Sequence, residues 1–89
     1  MRIKKGYNLR KIAGEYIIVK PELGVQDLTN VYTLNSTSAF LFEEVLGREF
    51  SVSDLVELLK NKYGINDDLA QSDSDKFISL FRSENIIEE

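Results

Sequence analysis

Cysteine and histidine are both absent from this chain, and proline occurs once. Without cysteine there is no disulfide framework, no thiolate for zinc or an iron–sulfur cluster, and no cysteine nucleophile. Without histidine the commonest general base, the commonest transition-metal ligand and the usual activator of a serine are missing. Together these gaps lead us to expect a chain that is not an enzyme and carries no metal or cofactor. Long apolar runs are missing too: no stretch approaches the roughly 20 residues that a bilayer-spanning helix requires. The basic start, Met1-Arg2-Ile3-Lys4-Lys5-Gly6, is not followed by the apolar stretch and small-residue cleavage site of a secretory signal. The expected address is the cytoplasm, with no membrane partner.

Other chemistries fail on spacing. Gly6, Gly14, Gly24, Gly47 and Gly64 are scattered, so no phosphate-cradling loop can be built from them. Glu43-Glu44 and Asp67-Asp68 are adjacent pairs, and neighbours on a helix point apart. Asp67, Asp68, Asp73 and Asp75 lack the glycine and the closing glutamate of a calcium loop at the right offsets.

What is present is an ordinary globular composition, 43% apolar and 29% charged over 89 residues. At that length roughly three fifths to two thirds of the unfolded surface becomes buried, enough for one core and a single domain over residues 1–89. The net charge of −4 is unevenly spread. Residues 1–34 hold six basic and three acidic side chains, whereas residues 35–89 hold five basic and twelve acidic. Such a division suits two solvated faces of opposite sign or a charge-steered groove for a polypeptide.

The first third reads as strands. Leu9–Ile12 and Glu15–Lys20 are rich in residues that fit a pleated surface, and Ala13-Gly14 supplies a tight reversal. Pro21 closes the second strand, Glu22–Asn30 forms a polar connection with Gly24 in it, and Val31–Leu34 makes a third strand. Asn35-Ser36-Thr37-Ser38 offers caps for a first helix whose apolar set is Ala39, Leu41, Phe42, Val45 and Leu46, ended by Gly47. Ser51 and Asp54 form a variant capping box for a second helix, with Phe50 placed to pack on Leu55 and Gly64 as the stop. Its apolar stripe is Val52, Leu55, Val56, Leu58, Leu59 and Tyr63. Asn66 caps a third helix with Asp67 and Asp68 in its first turn. There the expected buried stripe is Ala70, Asp73 or Ser74, Phe77, Leu80 and Phe81. Asn85 suits a left-handed stop, which returns Ile86 to Phe81.

The predicted fold class is α+β: a three-stranded antiparallel meander followed by three helices on one face. The turn Gly64-Ile65-Asn66 has the length of a helix-turn-helix connection, so the outline is winged-helix-like. In a meander the Val31–Leu34 strand keeps one free edge, and neither proline nor charge within it blocks pairing.

Several stretches, taken in order, resemble the PqqD-like family of precursor-peptide recognition modules. They are Leu34-Asn35-Ser36-Thr37-Ser38-Ala39-Phe40-Leu41-Phe42 at the strand-to-helix junction, Phe50-Ser51-Val52-Ser53-Asp54-Leu55 and Tyr63-Gly64-Ile65-Asn66 around the second helix, and Phe77, Phe81 and Ile86-Ile87 at the close. The likeness runs from about Gly6 to Glu88. Ser74 departs from it, standing where an aliphatic residue is expected, and so does the Glu22–Asn30 connection, which is longer and poorer in proline than in members tied to quinone-cofactor synthesis. The resemblance is to the family at large.

The resemblance implies a module that captures the leader segment of a ribosomally made precursor peptide, by strand addition beside the third helix. A partner enzyme, often a radical SAM maturase, then performs the modification. The peptide-binding residues it implies are Val31, Tyr32, Thr33 and Leu34 on the strand with Asp73, Lys76, Phe77 and Leu80 on the helix. Large apolar residues such as Tyr32, Phe77 and Leu80 also suit a core, and Lys76 suits either a leader carboxylate or plain solvent. Two other readings share the outline. A winged-helix DNA-binding regulator needs a basic recognition helix, whereas here Asp67, Asp68, Asp73 and Asp75 face Lys76 and Arg82, so no nucleic-acid partner is expected. A structural or dimerising subunit would pair the free edge with a second copy; monomer or weak dimer is the expected state.

Overall fold

The computed structural model describes residues 1–19 and 31–89, with Val31 and Tyr32 described by backbone only. The expectations placed on Lys20, Pro21 and the Glu22–Asn30 connection lie outside the described residues. Eight elements follow one another: β1 (Arg2–Ile3), β2 (Asn8–Ile12), β3 (Glu15–Val19), β4 (Val31–Leu34), α1 (Ser36–Val45), α2 (Val52–Tyr63), α3 (Asp67–Ser83) and β5 (Ile87–Glu88). β2, β3 and β4 form the expected antiparallel meander, and the protein is an α+β, winged-helix-like fold.

Local chemistry starts and stops these elements where the sequence places the signals. Ala13 and Gly14 both have positive φ, 53° and 82°, the signature of a type I′ turn, whose twist matches the flanking strands. Asn35 caps α1 by accepting from Ser38 N at 2.8 Å, and Asn66 caps α3 by accepting from Leu69 N at 2.9 Å. The capping box at α2 is complete: Asp54 N donates to Ser51 Oγ at 3.2 Å and Ser51 N to Asp54 Oδ2 at 2.9 Å. α3 ends in a Schellman pair, Ile86 N to Phe81 O at 2.8 Å and Asn85 N to Arg82 O at 3.0 Å, with Asn85 at φ 59°.

One boundary differs. α1 stops at Val45, and Gly47 does not cap it directly. Instead Leu46 is extended and Gly47 has φ 83°, a type II turn closed by Arg48 N on Val45 O at 3.2 Å. Leu46 is thereby turned outward and is 44% exposed, not part of the core.

The core gathers Ile18 and Leu34 from the sheet, Ala39, Leu41, Phe42 and Val45 from α1, Leu55 and Leu59 from α2, and Phe77, Ile78 and Phe81 from α3. Phe81 is its hub, stacked on Phe77 with centroids 4.2 Å apart and tilted against Phe42 at 5.9 Å. α1 packs on β2 and β4, while α2 packs on α3.

A second, two-stranded sheet has no counterpart in the sequence reading. β1 pairs antiparallel with β5, Ile3 opposite Ile87, and Lys4 N extends the pairing to Ile86 O at 2.9 Å. On its other side Met1 exchanges hydrogen bonds with Phe50, at 2.8 and 3.1 Å. Ile3, Phe50, Ile86 and Ile87 are all buried there, so the start of the chain, the α1–α2 connection and the end of α3 close one side of the core.

Candidate functional site

Which main-chain groups of β4 face outward follows from the hairpin. A two-residue turn makes its closing pair, Ile12 and Glu15, hydrogen-bonded. Opposed residues then alternate, so Glu15, Ile17 and Val19 bond towards β2 while Tyr16 and Ile18 bond towards β4. Their partners across that pair are Leu34 and Tyr32. The N–H and C=O of Val31 and Thr33 are left pointing away from β3, and among the described residues no strand lies on that side. The edge expected to be open therefore offers two donors and two acceptors.

Immediately after β4 the chain turns at Asn35 into α1. Asn35, Thr37 and Ser38 from this junction and Asp73 and Lys76 from α3 line a cleft of about 80 Å³. Asp73 is half-buried and Lys76 exposed. Among the described residues neither has an ion-pair partner. Two of the helix residues expected at the site are thus brought beside the end of the open strand.

The buried set of α3 is Ala70, Ser74, Phe77, Ile78 and Phe81. Ser74, not Asp73, takes the inward position, and Ile78 replaces Leu80 in the stripe. A helix advancing 100° per residue then carries Leu69, Asp73, Lys76 and Leu80 on one adjoining flank. Leu69 and Leu80 are 48% and 41% exposed, so two uncovered leucines frame the two charges.

The eight expected site residues fall into three groups. Thr33, Lys76 and Leu80 are exposed and Asp73 is half-buried. Leu34 and Phe77 are 5% and 1% exposed and belong to the core. The side chains of Val31 and Tyr32 lie outside the described residues. Leu69, Thr37 and Ser38 were not singled out from the sequence. For Leu69 the signal is there, four residues before Asp73 in the same spacing, while Thr37 and Ser38 read as capping chemistry and as part of the junction that resembles the family, not as contacts. No grouping of acidic side chains able to hold a metal occurs among the described residues. No described helix is long and apolar enough to cross a membrane.

A small α+β domain of winged-helix outline, whose β4 edge is paired with no described strand and lies beside an amphipathic helix, has the outline of surfaces that receive an extended peptide. Residues 15–87 match the sequence model of the family described as Coenzyme PQQ synthesis protein D (PqqD), and the chain belongs to that family. Its members are accessory peptide-binding proteins of natural-product biosynthesis, not catalysts. No curated protein and no solved structure matches the chain.

Proposed function

We propose that this protein captures the leader segment of a ribosomally synthesised precursor peptide by strand addition to the outer edge of β4. The flank of α3 bearing Leu69, Asp73, Lys76 and Leu80 supplies the side-chain contacts, and the bound peptide is presented to a modifying enzyme of the radical SAM kind. The observation that carries this reading is the outward row at Val31 and Thr33 lying next to that cleft.

Magnitudes support a division of labour. Four edge hydrogen bonds at about 0.5 to 1.5 kcal/mol net each give roughly 2 to 6 kcal/mol. Micromolar binding needs about 8 kcal/mol, before the ordering of a flexible peptide. The remainder falls to apolar leader side chains covering Leu69 and Leu80, with Asp73 and Lys76 setting which charges are accepted. A DNA-binding role fits poorly: the first turn of α3 exposes Asp67 and Asp68, which would meet phosphates with like charge.

The test is a titration of the isotope-labelled protein with a synthetic leader from a precursor encoded beside its gene. Amide shifts are expected across Val31–Leu34 and Asp73–Leu80 together. Thr33→Pro is the decisive variant, because its lost N–H points away from β3 and the fold keeps every β3–β4 bond. Binding should fall at least about tenfold, the loss of some 1.4 kcal/mol, with thermal stability retained. Unchanged affinity in Thr33→Pro, or shifts confined to the Glu43–Leu46 end of α1, would sink the proposal.

A further inference from the structure

A second surface lies at the far end of α1. The ten residues of α1 separate Asn35 from Leu46, eleven steps along the chain, so a helix rising 1.5 Å per residue sets the two surfaces roughly 16 Å apart. Here Arg2 from β1 and Lys4, Lys5 and Gly6 from the β1–β2 connection meet Leu46 and Gly47 of the α1–α2 turn around a pocket of about 350 Å³. The residues before Glu15 hold Arg2, Lys4, Lys5, Arg10 and Lys11 and no acid at all.

The charges of this pocket are only partly answered by the molecule. Arg2 pairs with Glu49 at 3.3 Å. Lys4 and Lys5 have no ion-pair partner among the described residues. Nor does the carboxyl end of α1 absorb them: the carbonyls of Phe42, Glu44 and Val45 already accept from Leu46 N, Arg48 Nε and Arg48 N. At the lip Leu46 is 44% exposed. The wall that leads to the lysines, Met1 to Lys4, is held on both sides, by β5 with Ile86 and by the Met1–Phe50 hydrogen bonds, so that part needs little ordering when occupied.

We infer that this pocket docks a short acidic segment of a partner protein, one with an aliphatic residue set between its carboxylates, with Lys4 and Lys5 receiving the carboxylates and Leu46 the aliphatic side chain. Charge complementarity with an apolar contact at its centre is how protein surfaces of this kind fix orientation and speed association. A nucleic-acid backbone suits it less well. A polyanion tracking beyond the pocket would meet exposed Glu44 and Glu49, whereas a short segment ends before them. Because the pocket and the β4 edge lie at opposite ends of α1, a leader and a partner enzyme can be held at once.

The probe is a capped pentapeptide EELEE, titrated into the labelled full chain beside its neutral counterpart QQLQQ and a short DNA duplex. Saturable shifts at Ile3–Asn8 and Leu46–Arg48 are expected with EELEE and not with QQLQQ, leaving Val31–Leu34 undisturbed. The pair Lys4→Glu with Lys5→Glu should weaken binding at least about tenfold, as like charge replaces opposite charge. Leu46→Ser, at an exposed site, should weaken it about threefold or more without moving the melting temperature. Equal shifts from QQLQQ, or no saturation by about 5 mM EELEE, would overturn the inference. So would tighter, steeply salt-dependent binding of the duplex, which would mark a nucleic-acid patch. The leader titration maps to other amides, so either result can fail without the other.

Discussion

Ala13 holds φ 53° in the β2–β3 turn, where an L side chain is crowded against the following carbonyl. Asparagine tolerates this region because its amide bonds locally, so Ala13→Asn should raise stability by about 0.5 to 1 kcal/mol, read as a higher urea midpoint at constant slope. Ser74 is a misfit of another kind. It is wholly buried on α3 and its hydroxyl has no hydrogen-bond partner among the described residues. Burying an unpaired hydroxyl costs about 1 to 3 kcal/mol, and serine is a poorer helix former than alanine. Ser74→Ala should therefore stabilise the protein by about 1 kcal/mol; a loss of stability in denaturant titration would mean the hydroxyl is satisfied after all. The departure of this position from the aliphatic residue expected of the family is legible in the sequence. That it points into the core, and Asp73 does not, depends on which arc of α3 its neighbours cover.

α3 illustrates what a single element does and does not reveal. Its start at Asn66 and its Schellman end at Asn85 are set by residues within a few positions of each terminus, and both appear where the sequence puts them. Asn85→Ala should cost about 1 to 2 kcal/mol through the left-handed residue alone. The junction with α2 carries an ion pair, Lys60 to Asp67. The hydrogen bond that Lys60 donates to Asp67, and then the charge of that carboxylate, raise the Lys60 ammonium above its ordinary 10.5. A group raised on folding contributes stability below its unfolded pKa and loses it as pH climbs through the folded one. Any stability difference between wild type and Lys60→Gln should thus hold steady from neutral pH to 10.5 and close above it, small throughout because both partners are exposed. The inner stripe of α3 was only partly legible: Leu80 has helical spacing for the core yet lies on the flank with Leu69, while Ile78 is taken inward. Leu69→Ser and Leu80→Ser should barely change stability, and in the proposed role each should weaken leader binding severalfold.

For the molecule as a whole, one core connects every element, and Phe42 lies fully buried against Phe81 within it. Phe42→Ala should cost about 3 to 5 kcal/mol, a large share of the roughly 5 to 15 available to a small domain. Thermal unfolding should then overlap physiological temperature, whereas Thr33→Pro keeps the wild-type midpoint. The β4 edge, unpaired on its outer side among the described residues, also bears on assembly. If the edge serves a peptide guest, sedimentation should show a monomer at micromolar concentration, and Thr33→Pro should not alter it; an edge-paired dimer abolished by that variant would favour the subunit reading. The small sheet joining Arg2–Ile3 to Ile87–Glu88 was invisible in the sequence because two residues per strand show no periodicity and the partners lie at opposite ends of the chain.

Local bonding decided what the sequence determined unaided. Caps, turns and helix stops are hydrogen bonds between residues no more than five positions apart, so Asn35, Ser51, Asn66, Asn85 and the Ala13-Gly14 turn announce themselves, and with them the order of the elements from β2 to α3. Tertiary structure alone decided which groups face outward: the row at Val31 and Thr33, the flank of α3 left bare, and the lysine pocket closed by Leu46. The physical reason is that exposure is a property of what covers a surface, and the covering elements come from distant parts of the chain.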